Sequence, residues 1–344
     1  MAFSTINKST DYQNGVLYTG TGSGATVSGV GFQPDLTWSK TRNVDDHHIL
    51  VDSVRGDKSL RANSSDNEYD TGVSWQFNSD GFTMTGTAGE LNHSGRTYAT
   101  WNWKAGTSFS NDASATSVGT IDSTGSVNTD VGFSIISYTG TGSNATVAHG
   151  LNSAPDVVLL KGRSNQPRFW SYWGTQFPST SYIYLNTVDD EDTGATSINR
   201  DTYPSSSVFS IGTSTFVNGS SETYIAYCFH SVDGYSKFGK YTGNGNANGT
   251  FVYTGFRPAF IIYKKTSGTG NWGILDNKKS PFNLNEAWQA ANLQNAETNE
   301  SARAVDFLSN GFKARGTNAD LNTSSGTYIY MAFAEQPFKY ANAR

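Results

Sequence analysis

The chain has 344 residues and a net charge of −5, and its lysines and arginines are scattered rather than clustered, which excludes a basic surface for nucleic acid. Hydrophobic residues make up 36% of the chain and aromatic residues 13%, whereas disordered chains combine few aromatics with a high net charge. The longest apolar stretches, Val157–Leu160 and Phe260–Tyr263, are too short for membrane insertion, and the single cysteine, Cys228, excludes an internal disulfide framework.

The amino-terminal residues, from Met1 to Lys8, do not contain the apolar stretch of a secretory signal peptide. We therefore expect synthesis in a host cytoplasm without export by the usual route. A composition rich in serine, threonine, asparagine and glycine, without a secretion signal, fits a virion component that is released by lysis.

The first predicted element is a strand that runs into a glycine-rich turn, and this element occurs three times along the chain. Each occurrence starts with Tyr-Thr-Gly and has a second glycine two residues later, at Tyr18–Ser23, Tyr138–Ser143 and Tyr241–Asn246. Aromatic and β-branched residues followed by turn glycines are typical of a strand and its turn. Recurrence of such an element in the same sequence indicates an internal repeat.

The second predicted element is a strand that begins with a proline and ends with a lysine. It covers Pro34–Lys40, Pro155–Lys161 and Pro258–Lys264, and the residues between are mostly apolar, β-branched or aromatic. Proline is tolerated at the first residue of a strand because no ladder hydrogen bond is needed from it there. The same order of elements in all three copies strengthens the repeat prediction.

The third predicted element closes each copy with Thr-Tyr and a run of large side chains at alternate positions. It covers Asn92–Trp103, Asn218–Phe229 and Asn322–Phe333, and such alternation favours a sandwich strand. We therefore predict an all-β fold of three tandem antiparallel β-sandwich repeats, of the jelly-roll or lectin-like kind, over residues 1–106, 131–232 and 233–344. A Ser/Thr/Gly-rich linker, or a linker with a short hairpin, is predicted over 107–130.

Two further predictions concern the connections. Asn285–Asn295, with its Glu-Ala-Trp-Gln-Ala-Ala run, is the best helix candidate. The short connection Ser231–Tyr235 predicts that the second and third repeats pack together, and the longer linker allows the first repeat to stand apart. Whether the repeats are separate or share sheets stays open at this stage.

The run Asp45–His48 is the strongest candidate for a metal or catalytic site, but the repeat argues against it. His48 follows Lys40 by the same offset at which Phe169 follows Lys161 and Trp272 follows Lys264. A slot that holds aromatic rings in two copies favours a structural strand position for His48, because neither ring can coordinate a metal.

Other candidate sites are equally weak. Asp189–Asp192 lacks the alternation of a calcium loop, and its counterparts in the other copies are polar loop tips. Cys228 lies in a predicted strand and is interpreted as a small strand filler rather than a nucleophile. No carboxylate pair for glycoside cleavage recurs, so we predict no catalytic residue, no metal ligand and no cofactor. The candidate acids for such a pair lie in polar surroundings: Glu68, Glu90, Glu222 and Glu335.

The aromatic run Phe169–Trp173 is the one candidate binding feature. Alternate strand positions face opposite sides, so Phe169, Ser171 and Trp173 share one face, and Trp170 and Tyr172 share the other. One face is expected in the core. The other is predicted to be an exposed stacking surface for sugar or an interface with a neighbouring subunit, with core or interface favoured, and the predicted binding residues are Trp170, Tyr172 and Trp173.

At these motifs the sequence resembles a repeat family of marine tailed bacteriophages. The resemblance rests on the Tyr-Thr-Gly-Thr-Gly turn, on Gly-Phe-x-Pro with its strand, on Thr223–Phe229, and on the ending Gly326–Arg344. Members of that family are usually described as uncharacterised or tail-fibre-like virion proteins with suspected lectin-like sandwich folds. The resemblance therefore implies a virion location, without catalytic residues to carry over.

The expected function is a non-enzymatic structural component of a phage particle, associated with the tail or tail fibre and contributing to adhesion to the host surface. Expected partners are other virion proteins, copies of the same chain in a symmetric trimer or hexamer, and a host-surface glycan. The alternatives are a capsid-decorating head protein and a glycan-binding, lectin-like module. Head or tail location, oligomeric state, receptor identity and cation binding stay open from sequence.

Overall fold

The computed structural model describes residues 4–164 and 166–336, and the end of the carboxy-terminal motif, 337–344, lies outside the described residues. These parts of the chain are all-β, with short helical turns at the loops. They form three sheet pairs, each a large sheet facing a small one. The β-branched and aromatic runs named above supply the strands, because such side chains pack well on a pleated surface.

Sheet pair 1 has a large sheet in the order β1-β9-β3-β4-β5-β6 and a small sheet in the order β2-β8-β7. Its elements are a 3-10 turn (Ser9–Asp11), β1 (Gln13–Thr19), β2 (Ala25–Ser28), β3 (Leu36–Thr41), β4 (Ile49–Asp52), β5 (Lys58–Arg61), β6 (Tyr69–Asp70), β7 (Ser74–Asn78), β8 (Gly81–Thr85), α1 (Gly89–Asn92) and β9 (Thr97–Trp103).

Sheet pair 2 has a large sheet in the order β10-β11-β12-β19-β14-β15-β16-β17 and a small sheet of β13 and β18. Its elements are β10 (Thr107–Asn111), α2 (Ala113–Thr116), β11 (Ser123–Asn128), β12 (Phe133–Thr139), β13 (Ala145–Ala148), β14 (Val157–Gly162), β15 (Ser171–Gly174), β16 (Ser181–Tyr184), β17 (Asp192–Thr193), α3 (Thr196–Asn199), β18 (Val208–Ile211), α4 (Thr215–Asn218) and β19 (Thr223–Phe229).

Sheet pair 3 has a large sheet in the order β20-β28-β22-β23-β24-β25 and a small sheet in the order β21-β27-β26. Its elements are β20 (Ser236–Thr242), β21 (Phe251–Tyr253), β22 (Pro258–Lys265), β23 (Gly273–Asp276), β24 (Ala287–Ala290), β25 (Thr298–Asn299), a 3-10 turn (Ser301–Arg303), β26 (Val305–Leu308), β27 (Gly311–Ala314), α5 (Ala319–Asn322) and β28 (Thr327–Ala334).

Two connections differ from the sequence prediction. The predicted linker 107–130 contains β10 and β11, which pair as a hairpin and extend the edge of the second large sheet along β12. The predicted helix over Asn285–Asn295 is wrong, because Ala287–Ala290 is a strand that pairs with β23 and β25. All four of its residues are buried, and sheet pairing in the core outweighs the helix propensity of alanine and glutamine.

The motif that closes each copy forms a set of buried contacts, which we call the pin, between the glycine-rich turn and the short helix. In sheet pair 2, the Asn218 side chain accepts from the backbone N–H of Thr141 at 2.8 Å and donates to the Gly212 carbonyl at 2.8 Å. Tyr224 stacks on Tyr138 with ring centroids 5.2 Å apart. The equivalent asparagines and tyrosine stacks in the other pairs make the same contacts, which explains why these residues recur; they are Asn92, Asn322, Tyr18–Tyr98 and Tyr241–Tyr328.

The three large sheets pack against one another around a common central core, so the suggestion that the first copy stands apart is wrong. Apolar side chains from all three sheets share this core, among them Trp101, Tyr227 and Phe333. Each sheet pair also has its own core between its large and small sheets. The large sheets are therefore covered on both faces, which explains their nearly continuous apolar sequences.

A buried lysine at the end of the proline-initiated strand links each sheet pair to another. The Lys40 Nζ donates to the Gln294 carbonyl at 3.0 Å, from pair 1 to pair 3. The Lys161 Nζ reaches Ser65 O at 2.9 Å, from pair 2 to pair 1. Completing the circle, the Lys264 Nζ reaches Val188 O at 3.2 Å, from pair 3 to pair 2.

The residue two positions after each lysine is hydrogen-bonded to a glutamate from another sheet pair. Arg42 forms a two-pronged ion pair with Glu297, at 2.9 and 2.8 Å. Arg163 does the same with Glu68, at 2.8 and 3.1 Å. At the third interface the strand residue is Thr266, whose carbonyl accepts from the backbone N–H of Glu191 at 3.0 Å. This interface therefore has the glutamate without the arginine.

Replacing Thr266 with arginine is expected to stabilise the protein by about 0.5–1 kcal/mol, because it supplies the missing partner of the half-buried Glu191. Urea unfolding monitored by tryptophan fluorescence measures the change. Thr266→Met is the control for added length without charge. An equal gain from Thr266→Met, or a gain that survives Glu191→Gln in the arginine variant, would contradict the ion pair.

Candidate functional site

The aromatic run Phe169–Trp173, predicted to have one face in the core and the other as a subunit interface or a sugar-stacking surface, has its candidate binding residues buried within the chain. The exposed fractions of Trp170, Tyr172 and Trp173 are 0%, 1% and 1%. The alternation was predicted correctly, since Trp170 and Tyr172 lie in the central core and Trp173 in the core of sheet pair 2. An exposed stacking surface at these residues is therefore wrong, because the other large sheets cover the face that a single repeat would leave open.

His48 occupies a core position at the contact between sheet pairs 1 and 3. It is fully buried, and its Nδ1 accepts from the indole N–H of Trp38 at 3.0 Å. Burial lowers the pKa of His48 well below its usual value. The strand registers Ser39–Ile49, Leu160–Ser171 and Tyr263–Gly273 make Trp170, not Phe169, the counterpart of His48 in the second copy.

Asp45 and His47, close to His48 in sequence, also contact sheet pair 3. Asp45 accepts from the backbone N–H of Ala296 at 2.8 Å, and the ring of His47 lies 3.2 Å from the Gln294 amide nitrogen. Within residues 4–164 and 166–336, no three histidine, cysteine, aspartate or glutamate side chains converge as a metal site.

Sheet pair 3 departs from the other two on the outer face of its small sheet. Phe251 and Tyr253 are 43% and 60% exposed, on either side of the buried Val252. Strand registers equate Val252 with Val27 and Val147, because each is paired with a buried phenylalanine. The residues at the two flanking positions are small in the other pairs: Thr26 and Ser28 in pair 1, and Thr146 and Ala148 in pair 2.

A second departure is a longer loop between β23 and β24 than between the equivalent strands, β4 and β5 in pair 1 and β15 and β16 in pair 2. The loop runs from 277 to 286 in pair 3, but only from 53 to 57 in pair 1 and from 175 to 180 in pair 2. The additional residues carry Phe282, which is 80% exposed, and Leu284, which is 42% exposed. Sheet pair 3 therefore presents large apolar side chains to solvent at this loop, whereas Phe177 in the shorter loop of pair 2 is buried.

Hydrogen bonds hold this loop firmly against the small sheet. Asn283 donates from its side chain to the Phe307 carbonyl at 3.1 Å and accepts from the Phe307 N–H at 2.9 Å. Asn285 pairs with Val305 through two backbone hydrogen bonds of 2.8 and 3.0 Å. The loop thus continues the small sheet beyond β26, and Phe282 is held outward by an ordered backbone rather than by apolar packing.

A groove of about 420 Å³ lies along this loop, a size typical of small-ligand sites. We call it the Phe282 groove. Both apolar and polar residues line it: Lys279, Ser280, Pro281, Phe282, Asn283, Leu284, Glu286, Ala287 and Asn299.

The groove is not cationic, although a lysine contributes to its lining. The Lys279 side chain is buried, and its Nζ lies 3.5 Å from Asp276 and 3.2 Å from Gln289. Burial lowers the pKa of Lys279. Its charge is compensated inside the protein, so Glu286 supplies the charged group on the solvent side of the lining.

Two features of the sequence distinguish this site, but neither belongs to the motifs that recur in all three copies. Phe251-Val-Tyr253 has aromatic residues at alternate positions where the other copies have small ones, and the spacing from Asp276 to Ala287 exceeds its counterparts. The predicted helix over Asn285–Asn295 instead includes the last part of this loop. Loop length measured between equivalent strands would have located the insertion.

Comparisons with known proteins give a family without a function. A family model described as a domain of unknown function, DUF7483, matches residues 8–337, and the chain therefore belongs to this family. No curated protein and no solved structure matches the chain significantly. In the described part of the chain, no helix is long and apolar enough to cross a membrane.

Proposed function

We propose that this DUF7483 protein is a non-enzymatic structural and adhesive component of a bacteriophage virion, associated with the tail or tail fibre. The observation that carries the adhesive part is the outer face of sheet pair 3, where Phe251, Tyr253 and Phe282 are exposed. Aromatic side chains that are 43 to 80% exposed bury only part of their apolar surface on folding, so a contact with another molecule accounts for them best.

The build of the chain supports a structural role. Buried lysines join the sheet pairs in a closed circle, arginine–glutamate ion pairs reinforce two of the three interfaces, and a shared apolar core fills the centre. A body tied together in this way suits a part that must transmit force or hold a fixed orientation. We propose that its three sheet pairs are three β-sandwich repeats of the jelly-roll or lectin-like kind, and that copies assemble as a trimer or hexamer with other virion proteins.

The resemblance to tail-fibre-like virion proteins supports the location, and antibody labelling tests it. Particles of the phage that encodes the chain would be incubated with gold-labelled antibody against the purified protein and viewed by electron microscopy. Label at the tail or its fibres is expected. Label on the head would support the capsid-decorating alternative, and particles without label would refute a virion component.

A lectin-like binding function is the second candidate, and the Phe282 groove favours it. Aromatic, amide, hydroxyl and carboxylate groups lie together there, which is the mixture that small polar ligands require. The former candidate at Trp170–Trp173 does not enter this proposal, because those rings are buried.

A further inference from the structure

We infer that the Phe282 groove and the neighbouring outer face of the small sheet form one binding site for a neutral oligosaccharide. The inference rests on the proposed adhesive function and names the class of its ligand. A hexopyranose ring has an apolar C–H face and a rim of hydroxyl groups. A matching site therefore needs a flat aromatic surface with hydrogen-bonding groups beside it.

Phe282 supplies the flat surface within the groove. Its ring is 80% exposed, and the Ser280, Glu286 and Asn299 side chains line the same groove. These groups offer hydroxyl, carboxylate and amide partners to sugar hydroxyls. Hydrogen bonds fix the loop backbone that carries Phe282 before binding, which reduces the entropy cost of association.

Phe251 and Tyr253 extend the site across the sheet. Strands β21, β27 and β26 are adjacent, and Asn285 pairs with Val305 on the far side of β26. Three strand spacings separate β21 from the loop, or about 14 Å. That separation suits a short oligosaccharide, with rings at both ends of the site, better than a single sugar.

The surface between the aromatic ends is polar, which favours a sugar over an apolar protein partner. Lys313 is paired across from Phe251, and Asp306 across from Lys313, so charged side chains interrupt the apolar area. Protein interfaces have a core depleted of charged residues. The aromatic rings here are instead separate, as stacking positions for successive sugars would be.

The charges favour a neutral sugar over an acidic one. Glu286 lines the groove, and the Lys279 charge is compensated within the protein. At the far side, Asp306 forms an ion pair with Arg315 at 2.8 Å, and the Lys313 Nζ is bound to Asn248. A sulfated or carboxylated glycan would meet the Glu286 carboxylate in the groove, where Lys279, the one lysine of the lining, is already paired with Asp276.

Binding of defined hexasaccharides to the purified full chain tests the inference. The neutral probes are cellohexaose, chitohexaose and mannohexaose, and the acidic probe is a mannuronate hexasaccharide, each titrated calorimetrically to millimolar concentration. The variants are Phe282→Ala and Tyr253→Ala. Tyr203→Ala is the matched control, because Tyr203 is 49% exposed but lies in sheet pair 2.

Saturable binding of at least one neutral probe is expected, with affinity reduced about tenfold or more in Phe282→Ala and unchanged in Tyr203→Ala. Thermal melting of Phe282→Ala should match the parent, since the ring is exposed. The inference is overturned if no neutral probe binds, if both variants bind like the parent, or if the acidic probe binds more tightly. Tail label without sugar binding would remove the inference alone, whereas sugar binding without particle label would remove the virion proposal alone.

Discussion

Replacing Arg55 with phenylalanine is expected to destabilise the protein by about 3–5 kcal/mol, because it leaves a buried carboxylate without its cation. Arg55 and Asp52 are both fully buried at their side chains, and the Arg55 Nε donates to the Asp52 carboxylate at 2.6 Å. The guanidinium also donates to the Leu50 and Lys58 carbonyls at 3.0 and 3.1 Å. Chemical denaturation of the full chain measures the loss.

The protein itself contains an apolar alternative to this ion pair. Strand registers equate Asp52 with Gly174 and Asp276. Each is paired with the residue two positions after the proline of its own proline-initiated strand, namely Leu36, Val157 and Phe260. Three residues later come Arg55 and Lys279 in pairs 1 and 3, but Phe177 in pair 2. Phe177 lies in the central core, so one of the three interfaces is built without the charges.

Whether an interface has the ion pair or the apolar contact depends on which side chain the neighbouring sheet pair places against this position. The Tyr227 hydroxyl donates to Asp52 at 2.7 Å, and the Trp101 indole N–H donates to Asp276 at 3.1 Å. The residue equivalent to Tyr227 and Trp101 in the third copy is Met331, by its pairing with Ile262. Methionine has no proton to donate, and a buried carboxylate facing it would lack a partner.

The triple variant Asp52→Ala, Arg55→Phe, Tyr227→Met is therefore expected to recover most of the stability that Arg55→Phe loses. It replaces a buried polar set by a well-packed apolar one, an exchange that is often neutral. Asp52→Ala alone is the matched control, since it leaves Arg55 as the uncompensated buried charge. If the triple variant were no more stable than Arg55→Phe, the apolar interface of pair 2 would not be transferable.

Raising the pH from about 7 to about 8.5 is expected to increase the free energy of unfolding by about 3 kcal/mol. The cause is the circle of buried lysines. Burial lowers the pKa of Lys40 to about 8, of Lys161 to about 7 and of Lys264 to about 8. In the unfolded chain the same amines have their ordinary pKa of about 10.4.

The direction follows from the protons bound in each state. Across this pH range the unfolded chain keeps its lysines protonated while the folded protein releases protons, so the unfolded state binds more protons and stability rises with pH. The contribution is lost as the pH falls through the folded pKa values. Burial raises the pKa of the Cys228 thiol to about 12, which acts in the opposite direction once the unfolded thiol ionises near pH 8.5.

Guanidinium chloride unfolding at a series of pH values and constant ionic strength measures this slope. Lys161→Met should flatten it most, because Lys161 has the lowest pKa of the three. Lys58→Met is the control for removing an exposed lysine, whose side chain is 47% exposed. A parent slope of zero or of opposite sign would show that the buried amines keep ordinary pKa values.

The aromatic residues show how far the sequence could lead. Comparison of the copies predicted that His48 is a structural strand position in an aromatic slot; His48 is buried, and it lies one residue before β4 begins. The same comparison could not decide whether Trp170 and Tyr172 are exposed, because a single sandwich repeat leaves one sheet face open. Only the arrival of side chains from distant residues, such as Trp272 at 5.3 Å from Tyr172, covers that face.

The sequence by itself determined the all-β class, the three copies of each strand landmark, and the residues that each copy needs for its own turns and pins. The strand patterns and their recurrence are visible along the chain itself, although the side-chain hydrogen bonds of the pins join residues 71 to 78 positions apart. Only the tertiary structure decided that the three large sheets share a core, that β10 and β11 belong to a sheet, and that Phe282 rather than Trp170 meets solvent. Those outcomes depend on which surfaces distant segments cover, and residues of one type occur on both covered and open surfaces.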